Sequence, residues 1–296
     1  DFSKDIHKSQ PYHDSHQEEE DADAADDEGK SAMKAVLRKP FNQSVTDLCL
    51  RDVGIGEAGA VTLSNLLGRT DTLKNLAIDA NENIPPKGLK NIIRSIKTLN
   101  KSIQILTLSD VKLLVNHFEL ILGVFHEGQC QLKRLSLARC GLTPFHMKKL
   151  GGSLASTKHL EWLDLSSNYF GNDGAKLLAD EFLLSYSYQD EQVVDSIYVS
   201  KETAKLLSDD HEEIVRLPLK FLDVSSCKMS KGGADILIES LIQKISLEKL
   251  DVSENDLHLC AQEVSSHLQK MRLREVKLNL CKLGTIGAQK ILDAYK

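Results

Sequence analysis

The stretch Leu160-Glu161-Trp162-Leu163-Asp164-Leu165-Ser166-Ser167-Asn168-Tyr169-Phe170-Gly171-Asn172-Asp173-Gly174-Ala175-Lys176-Leu177-Leu178 decides how the chain is read. Leu160, Leu163 and Leu165 stand at offsets 0, 3 and 5. Side chains alternate across a strand, so Leu163 and Leu165 share one face while Trp162 and Asp164 share the other. Asn168 follows at offset 8 and Phe170 at offset 10, then Gly174 and the apolar pair Leu177 and Leu178. The apolar spacing shifts from a period of two to helical spacing, which predicts strand, turn and helix in one unit.

The unit repeats from Val45 onward. Its second apolar strand position recurs at Leu48, Leu76, Leu106, Leu135, Leu163, Leu222, Leu250 and Val276, with gaps of 28, 30, 29, 28, 59, 28 and 26 residues. The third recurs at Leu50, Ile78, Leu108, Leu137, Leu165, Val224, Val252 and Leu278. A period near 28 residues lies at the long end of the leucine-rich range. No single unit can bury its own apolar face, so stacked units must share a core.

The position after each strand reads Val53, Asn81, Val111, Cys140, Asn168, Cys227, Asn255 and Cys281. The backbone turns inward there and leaves amides to satisfy; Asn can bond them, and Cys is a small apolar filler. With this alternation the chain resembles leucine-rich-repeat proteins of the ribonuclease-inhibitor-like type over residues 45–296. The resemblance implies an α/β leucine-rich-repeat solenoid, a horseshoe of about eight repeats with a parallel concave sheet and convex helices. It also implies a non-enzymatic scaffold that binds a protein on the concave face. Proteins of this kind include ribonuclease inhibitors, the sensing regions of NOD-like receptors and Ran GTPase activators. A GTPase activator is the alternative. Its family carries a loop of the form GRNRL, of which Ala138-Arg139-Cys140-Gly141-Leu142 keeps only Arg139. That family's acidic tail is carboxy-terminal, and here the acidic tail is amino-terminal.

The acidity of the chain is local. Of 43 acids and 37 lysines and arginines, residues 1–30 hold eleven acids and three lysines, which leaves 32 acids and 34 bases elsewhere. A nearly neutral body gives no electrostatic case for nucleic acid. Residues 1–30 are expected to be a disordered acidic tail, because they carry little apolar surface to offset chain entropy. Residues 31–44 hold Met33, Val36 and Leu37 at helical spacing before Pro40, and read as an amino-terminal capping element. The 59-residue gap leaves two readings around residues 187–215. Val194, Ile197 and Val199 could be a degenerate repeat, or the segment is an insertion; the spacings and the uninterrupted Cys/Asn alternation favour the insertion. At the other end, the final helix with Tyr295 closes the core or the native chain continues.

With no signal peptide or long apolar run in sight, the expected setting is intracellular, cytoplasmic or nuclear, without membrane contact. The six cysteines include no CxxC pair, and three share the turn position, which points to packing. Gly54-Ile55-Gly56-Glu57-Ala58-Gly59 matches GxGxxG, with Asp79 twenty residues beyond Gly59. This is a dinucleotide fingerprint in form. Yet Gly171 to Gly174 and Gly284 to Gly287 repeat the turn, so one bland explanation covers every copy. No catalytic residues, metal site or cofactor are expected.

The outward strand residues remain. Asp164, Asp223 and Asp251 should stack on adjacent strands about 5 Å apart. They are either an acidic ladder for a basic partner or a solvated face. Trp162, the only tryptophan, is joined by Phe221 and Lys249. Aromatic residues flanked by charge fit a protein-binding hot spot. Trp162, Asp164, Phe221, Asp223, Lys249 and Asp251 are therefore the candidate partner-binding set. The chain is expected to act as a monomer or as one subunit of a larger complex.

Overall fold

The computed structural model describes residues 44–98, 100–126, 131–154, 157, 159–184, 218–244 and 247–295. The acidic tail at 1–30, the capping element at 31–44 apart from Ser44, and the insertion at about 187–215 lie outside the described residues.

Among the described residues, eight strand–helix units follow one another. They run β1 (Asp47–Cys49), α1 (Glu57–Leu67), β2 (Asn75–Ala77), α2 (Pro86–Thr98), β3 (Ile105–Thr107), α3 (Val115–His126), β4 (Arg134–Ser136) and α4 (Pro144–Leu154). Then come β5 (Trp162–Asp164), α5 (Gly171–Leu184), β6 (Phe221–Asp223), α6 (Ala234–Lys244), β7 (Lys249–Asp251), α7 (Ala261–Leu268), β8 (Glu275–Lys277) and α8 (Gly284–Asp293). The strands form one parallel sheet in chain order, β1 to β8. Each central strand residue is the one expected from the repeat, Leu48 through Val276. β5 pairs directly with β6, Leu163 beside Leu222, so no strand stands between them across the 59-residue gap.

The core is one cluster in which strand leucines meet the inner faces of the helices. Leu106, Leu135, Leu163, Leu222 and Leu250 are all buried, as are Ile93, Leu150, Leu178 and Leu241 from the helices. Truncating one such leucine to alanine costs roughly 2–5 kcal/mol. Proline occupies the first turn at Pro86 and Pro144, where its missing N–H has no intrahelical partner to lose. At α3 and α4 a histidine stands three residues past the cap. His146 Nδ1 accepts from Thr143 N at 3.1 Å, and His117 Nδ1 accepts from Leu114 N at 3.3 Å. This is the geometry of a capping box with imidazole in place of the usual carboxylate or amide.

The turns after the strands are built to one plan. The residue just before the Asn, Cys or Val position has a left-handed φ of 52–59° in all eight units: Asp52, Ala80, Asp110, Arg139, Ser167, Ser226, Glu254 and Leu280. None is glycine, so each costs of order 1 kcal/mol that the turn bonds must offset. Three asparagines supply those bonds. Asn168 Oδ1 accepts from Cys140 N and Leu142 N, both at 3.0 Å, in the preceding unit. Its Nδ2 donates to Leu137 O and Leu165 O at 2.8 Å and to Ser166 O at 3.3 Å. Asn81 and Asn255 repeat the pattern towards Val53 and Ile55 and towards Cys227 and Met229.

The cysteines are more than apolar filler, which corrects the reading from sequence. Cys140, Cys227 and Cys281 point Sγ at the preceding unit's carbonyl, Leu108 O at 3.1 Å, Leu165 O at 3.3 Å and Val252 O at 3.3 Å. They take over the asparagine's donor arm, and each sulfur also accepts a backbone N–H of the preceding unit, from Val111, Asn168 and Asn255 respectively. Val53, at the same position in the first unit, is exposed. The GxGxxG run is one of these turns: Gly54 has φ +68°, as Gly141 has φ +72° at the same place in its own unit.

Candidate partner-binding site

Two rows of side chains cross the helix-free face of the sheet. One reads Arg134, Trp162, Phe221, Lys249 and Glu275; the other reads Ser136, Asp164, Asp223, Asp251 and Lys277. The parallel register places all six candidate residues in one patch on β5, β6 and β7.

Trp162 and Phe221 stack with ring centroids 4.9 Å apart and planes 9° from parallel. Both are half-buried. Such a pair presents a flat apolar platform, and ring pairs of this kind are worth about 0.5–1.5 kcal/mol beyond area burial. The platform floors a shallow groove of about 380 Å³, bordered by Arg134, Glu161, Lys220, Glu248, Lys249, Glu275 and Lys277. The border is made of paired charges. Lys220 bonds Glu161 at 3.1 Å, Arg274 bonds Glu248 at 3.1 Å, and Lys249 bonds Glu275 at 2.8 Å. Exposed pairs of this kind contribute little stability, with a median near 0–1 kcal/mol.

The acidic row is more tightly held than the sequence suggests. Asp164, Asp223 and Asp251 each accept the N–H of the residue two positions on, Ser166, Ser225 and Ser253, at 2.9–3.0 Å. Asp164 also accepts from Ser136 Oγ at 2.7 Å. Asp251 departs most from expectation. It is 7% exposed, and Lys277 Nζ lies 3.5 Å from its carboxylate. It is therefore no open rung of the ladder, because the neighbouring strand supplies its counter-ion. Asp164 and Asp223 have no cation at ion-pair distance among the described residues. Burial pushes the Asp223 carboxyl up, the Ser225 hydroxyl and amide pull it down, and Asp164 and Asp251 push it further up. A half-buried carboxylate between two others favours an arriving positive charge.

Sequence reasoning missed Arg134 and Lys277, which complete the patch. Lys277 had a usable signal, since it lies 26 residues after Asp251 at the same strand position. Elsewhere the structure gives no chemistry to the decoys. Burial raises the Cys140 and Cys227 thiols to about 12, so neither supplies thiolate near neutral pH. Arg139, the one residue kept from the GTPase-activator pattern, is tied to Asp110 by two guanidinium hydrogen bonds. No group of three metal-ligating side chains is present among the described residues. Nor is any described helix long and apolar enough to cross a membrane.

Comparison with known proteins agrees with this architecture. The Leucine Rich repeat family matches at residues 157–179, the stretch that first set the reading. Human NACHT, LRR and PYD domains-containing protein 14 is 32% identical over 205 residues, 67% of this chain and 18% of that protein. Pig ribonuclease inhibitor is 33% identical over 176 residues, 57% of this chain and 37% of the inhibitor. Mouse ribonuclease inhibitor is 26% identical over 283 residues, 84% of this chain and 61% of the inhibitor. The chain is a leucine-rich-repeat protein of the ribonuclease-inhibitor-like type. It spans less than two thirds of the length of each of these relatives.

Proposed function

We propose that this chain is a non-enzymatic protein-interaction scaffold whose partner docks on the helix-free face at Trp162, Asp164, Phe221, Asp223, Lys249 and Asp251. The stacked pair of Trp162 and Phe221 in the groove carries the reading. Aromatic side chains on a polar-rimmed surface are the residues that dominate interface energies. The relatives' names are in keeping with this: a ribonuclease inhibitor acts on another protein.

The partner is basic where it meets Asp164 and Asp223, and the complex forms inside the cell, in cytoplasm or nucleus. A cation set beside Asp223 reverses the upward push on its carboxyl, so binding releases protons in mildly acidic buffer. Lys249 and Asp251 enter as paired charges and serve register more than affinity.

The test is to immobilise the full chain, identify retained proteins by mass spectrometry, and repeat with Trp162→Ala combined with Phe221→Ala. The double variant, shown folded by circular dichroism, should lose the specific partner. Retention of every partner by the folded variant would place the binding face elsewhere.

A further inference from the structure

The helices are charged unevenly along the stack. α2, α3 and α4 together carry six lysines and arginines and one acid, Glu119. α5 to α8 carry three lysines and seven acids. Like charge along a helix is ordinarily a solvated face. Two further observations set this one apart.

The cations are unanswered. Lys87, Lys90 and Arg94 follow one stripe of α2 at helical spacing, and Lys112 lies exposed in the turn before α3. None of the four has a carboxylate at ion-pair distance among the described residues. In the later units Lys231, Lys249, Lys277 and Lys282 each hold one. Lys97, the fourth cation of α2, is turned onto α3, with Nζ 3.0 Å from where a Cβ on Gly123 would stand.

Apolar surface also lies open beside these cations. Leu114 is 41% exposed, Val115 43% and Phe145 50%, all at the starts of α3 and α4. Those starts are fixed side by side. His117 Nε2 meets Pro86 O at 2.9 Å, which joins the first turns of α2 and α3. The Phe118 and His146 rings meet edge to face at 5.0 Å, which joins α3 to α4. Lys149 Nζ lies 5.0 Å above the centre of the Phe145 ring, and the same amine bonds Glu119. The one acid of the three helices is thus already taken.

We infer that the strip formed by α2 and the starts of α3 and α4 is a docking surface for an acidic segment of a partner protein, one that carries bulky apolar side chains among its acids. Lys87 to Arg94 spans about 10 Å of helix, the reach of three carboxylates on two turns of a facing helix. Exposed charge pairs add little affinity one at a time, so the cations select the partner and the apolar residues anchor it. A phosphate backbone would leave Leu114, Val115 and Phe145 uncovered. Lipid is the poorer match as well. An interfacial helix sinks its apolar face roughly 5–10 Å into the membrane, whereas these three side chains are half-covered by their own neighbours. The strip lies on the helical side of the sheet and shares no residue with the Trp162 patch, so the two assignments stand or fall separately.

The test uses the full chain and a fluorescein-labelled synthetic peptide made of Glu-Glu-Leu-Phe repeats. Polyglutamate of equal length and a Lys-Lys-Leu-Phe peptide serve as comparators. Anisotropy at low salt should show the Glu-Glu-Leu-Phe peptide bound about tenfold more tightly than polyglutamate. Phe145→Ser should remove that advantage. The triple variant Lys87→Glu, Lys90→Glu, Arg94→Glu should bind the acidic peptide about tenfold more weakly and take the Lys-Lys-Leu-Phe peptide in its place. An exchanged preference is a result that misfolding cannot imitate. The inference is overturned if the unmodified chain binds no peptide, if polyglutamate binds equally well, or if the triple variant keeps the original preference. It is overturned too if phosphatidylserine vesicles or duplex DNA bind more tightly than the peptide and lose that binding in the triple variant. Peptide binding that appears only after residues 1–30 are removed makes the chain's own acidic run the occupant, and overturns the partner protein.

Discussion

Asn168 and Cys227 hold the same place in adjacent units and solve different halves of one problem. Asn168 makes five hydrogen bonds, three outward through Nδ2 and two inward through Oδ1. Cys227 offers its thiol to Leu165 O and Ser225 O, both at 3.3 Å, and leaves its own amide to Asn255. An asparagine unit thus serves itself and the unit before it, whereas a cysteine unit depends on its successor. Through the alternation, the Cys140 and Cys227 turns are each followed by an asparagine that meets their amides.

The contrast can be broken most forcibly at asparagine. Asn168→Ala should lower stability by about 3–5 kcal/mol, because it strands several buried backbone groups at once. Urea denaturation would measure it, and exchange should quicken at Cys140 and Leu142 before it does at Cys227. Cys227→Ala should cost only about 1–2 kcal/mol, the loss of a weak donor and a small packing defect. Equal losses for the two variants would end the distinction. Next in size is Gly141→Ala, expected to cost about 1 kcal/mol, since φ +72° is poor for any residue with a Cβ. Lys228 and Lys282 occupy the same left-handed place with φ 58° and 53°, so the fold tolerates this strain and does not forbid it.

The smallest expected effect is a pH dependence in the units between Asn81 and Asn168. Burial depresses the imidazoles of His117 and His146, with Lys90 and Lys149 adding to it, while the Pro86 carbonyl works the other way at His117. Both act as hydrogen-bond acceptors through Nδ1, which requires the neutral ring. The unfolded chain takes up protons as pH falls through about 6.5, and the folded chain resists. Stability should therefore fall as pH drops below about 6.5, and rise with pH through the same window. Melting curves at pH 7.5 and 5.5 would show it, and the double variant His117→Gln, His146→Gln should flatten the difference.

Much of the fold was legible because the apolar period is a direct imprint of packing. All eight central strand residues, Leu48 to Val276, were placed from spacing alone. The rows on the helix-free face followed from the same register. What the spacing could not carry was the satisfaction of polar groups. Asp251 reads like Asp164 in the sequence, yet Lys277 on the next strand covers it. Cysteine reads as a small apolar residue, and its role as a donor depends on which carbonyl the preceding turn leaves free. The histidine caps were missed for a similar reason, since imidazole at that position is an unusual substitute for Glu or Gln.

The direct pairing of β5 with β6 has a consequence for how the chain finds its fold. Six of the seven strand junctions close a loop of 26–30 residues, and this one closes 59. Closure entropy grows only with the logarithm of length, so doubling the loop adds about 0.6 kcal/mol. That is less than the loss expected from Cys227→Ala. A stack held by nearest-neighbour contacts can nucleate on either side of the long connection and zip across it later. The junction is then a seam at which assembly from β1 to β5 and from β6 to β8 can start as two separate nuclei. The Trp162–Phe221 platform lies across that seam, so it is complete only once the two nuclei have joined.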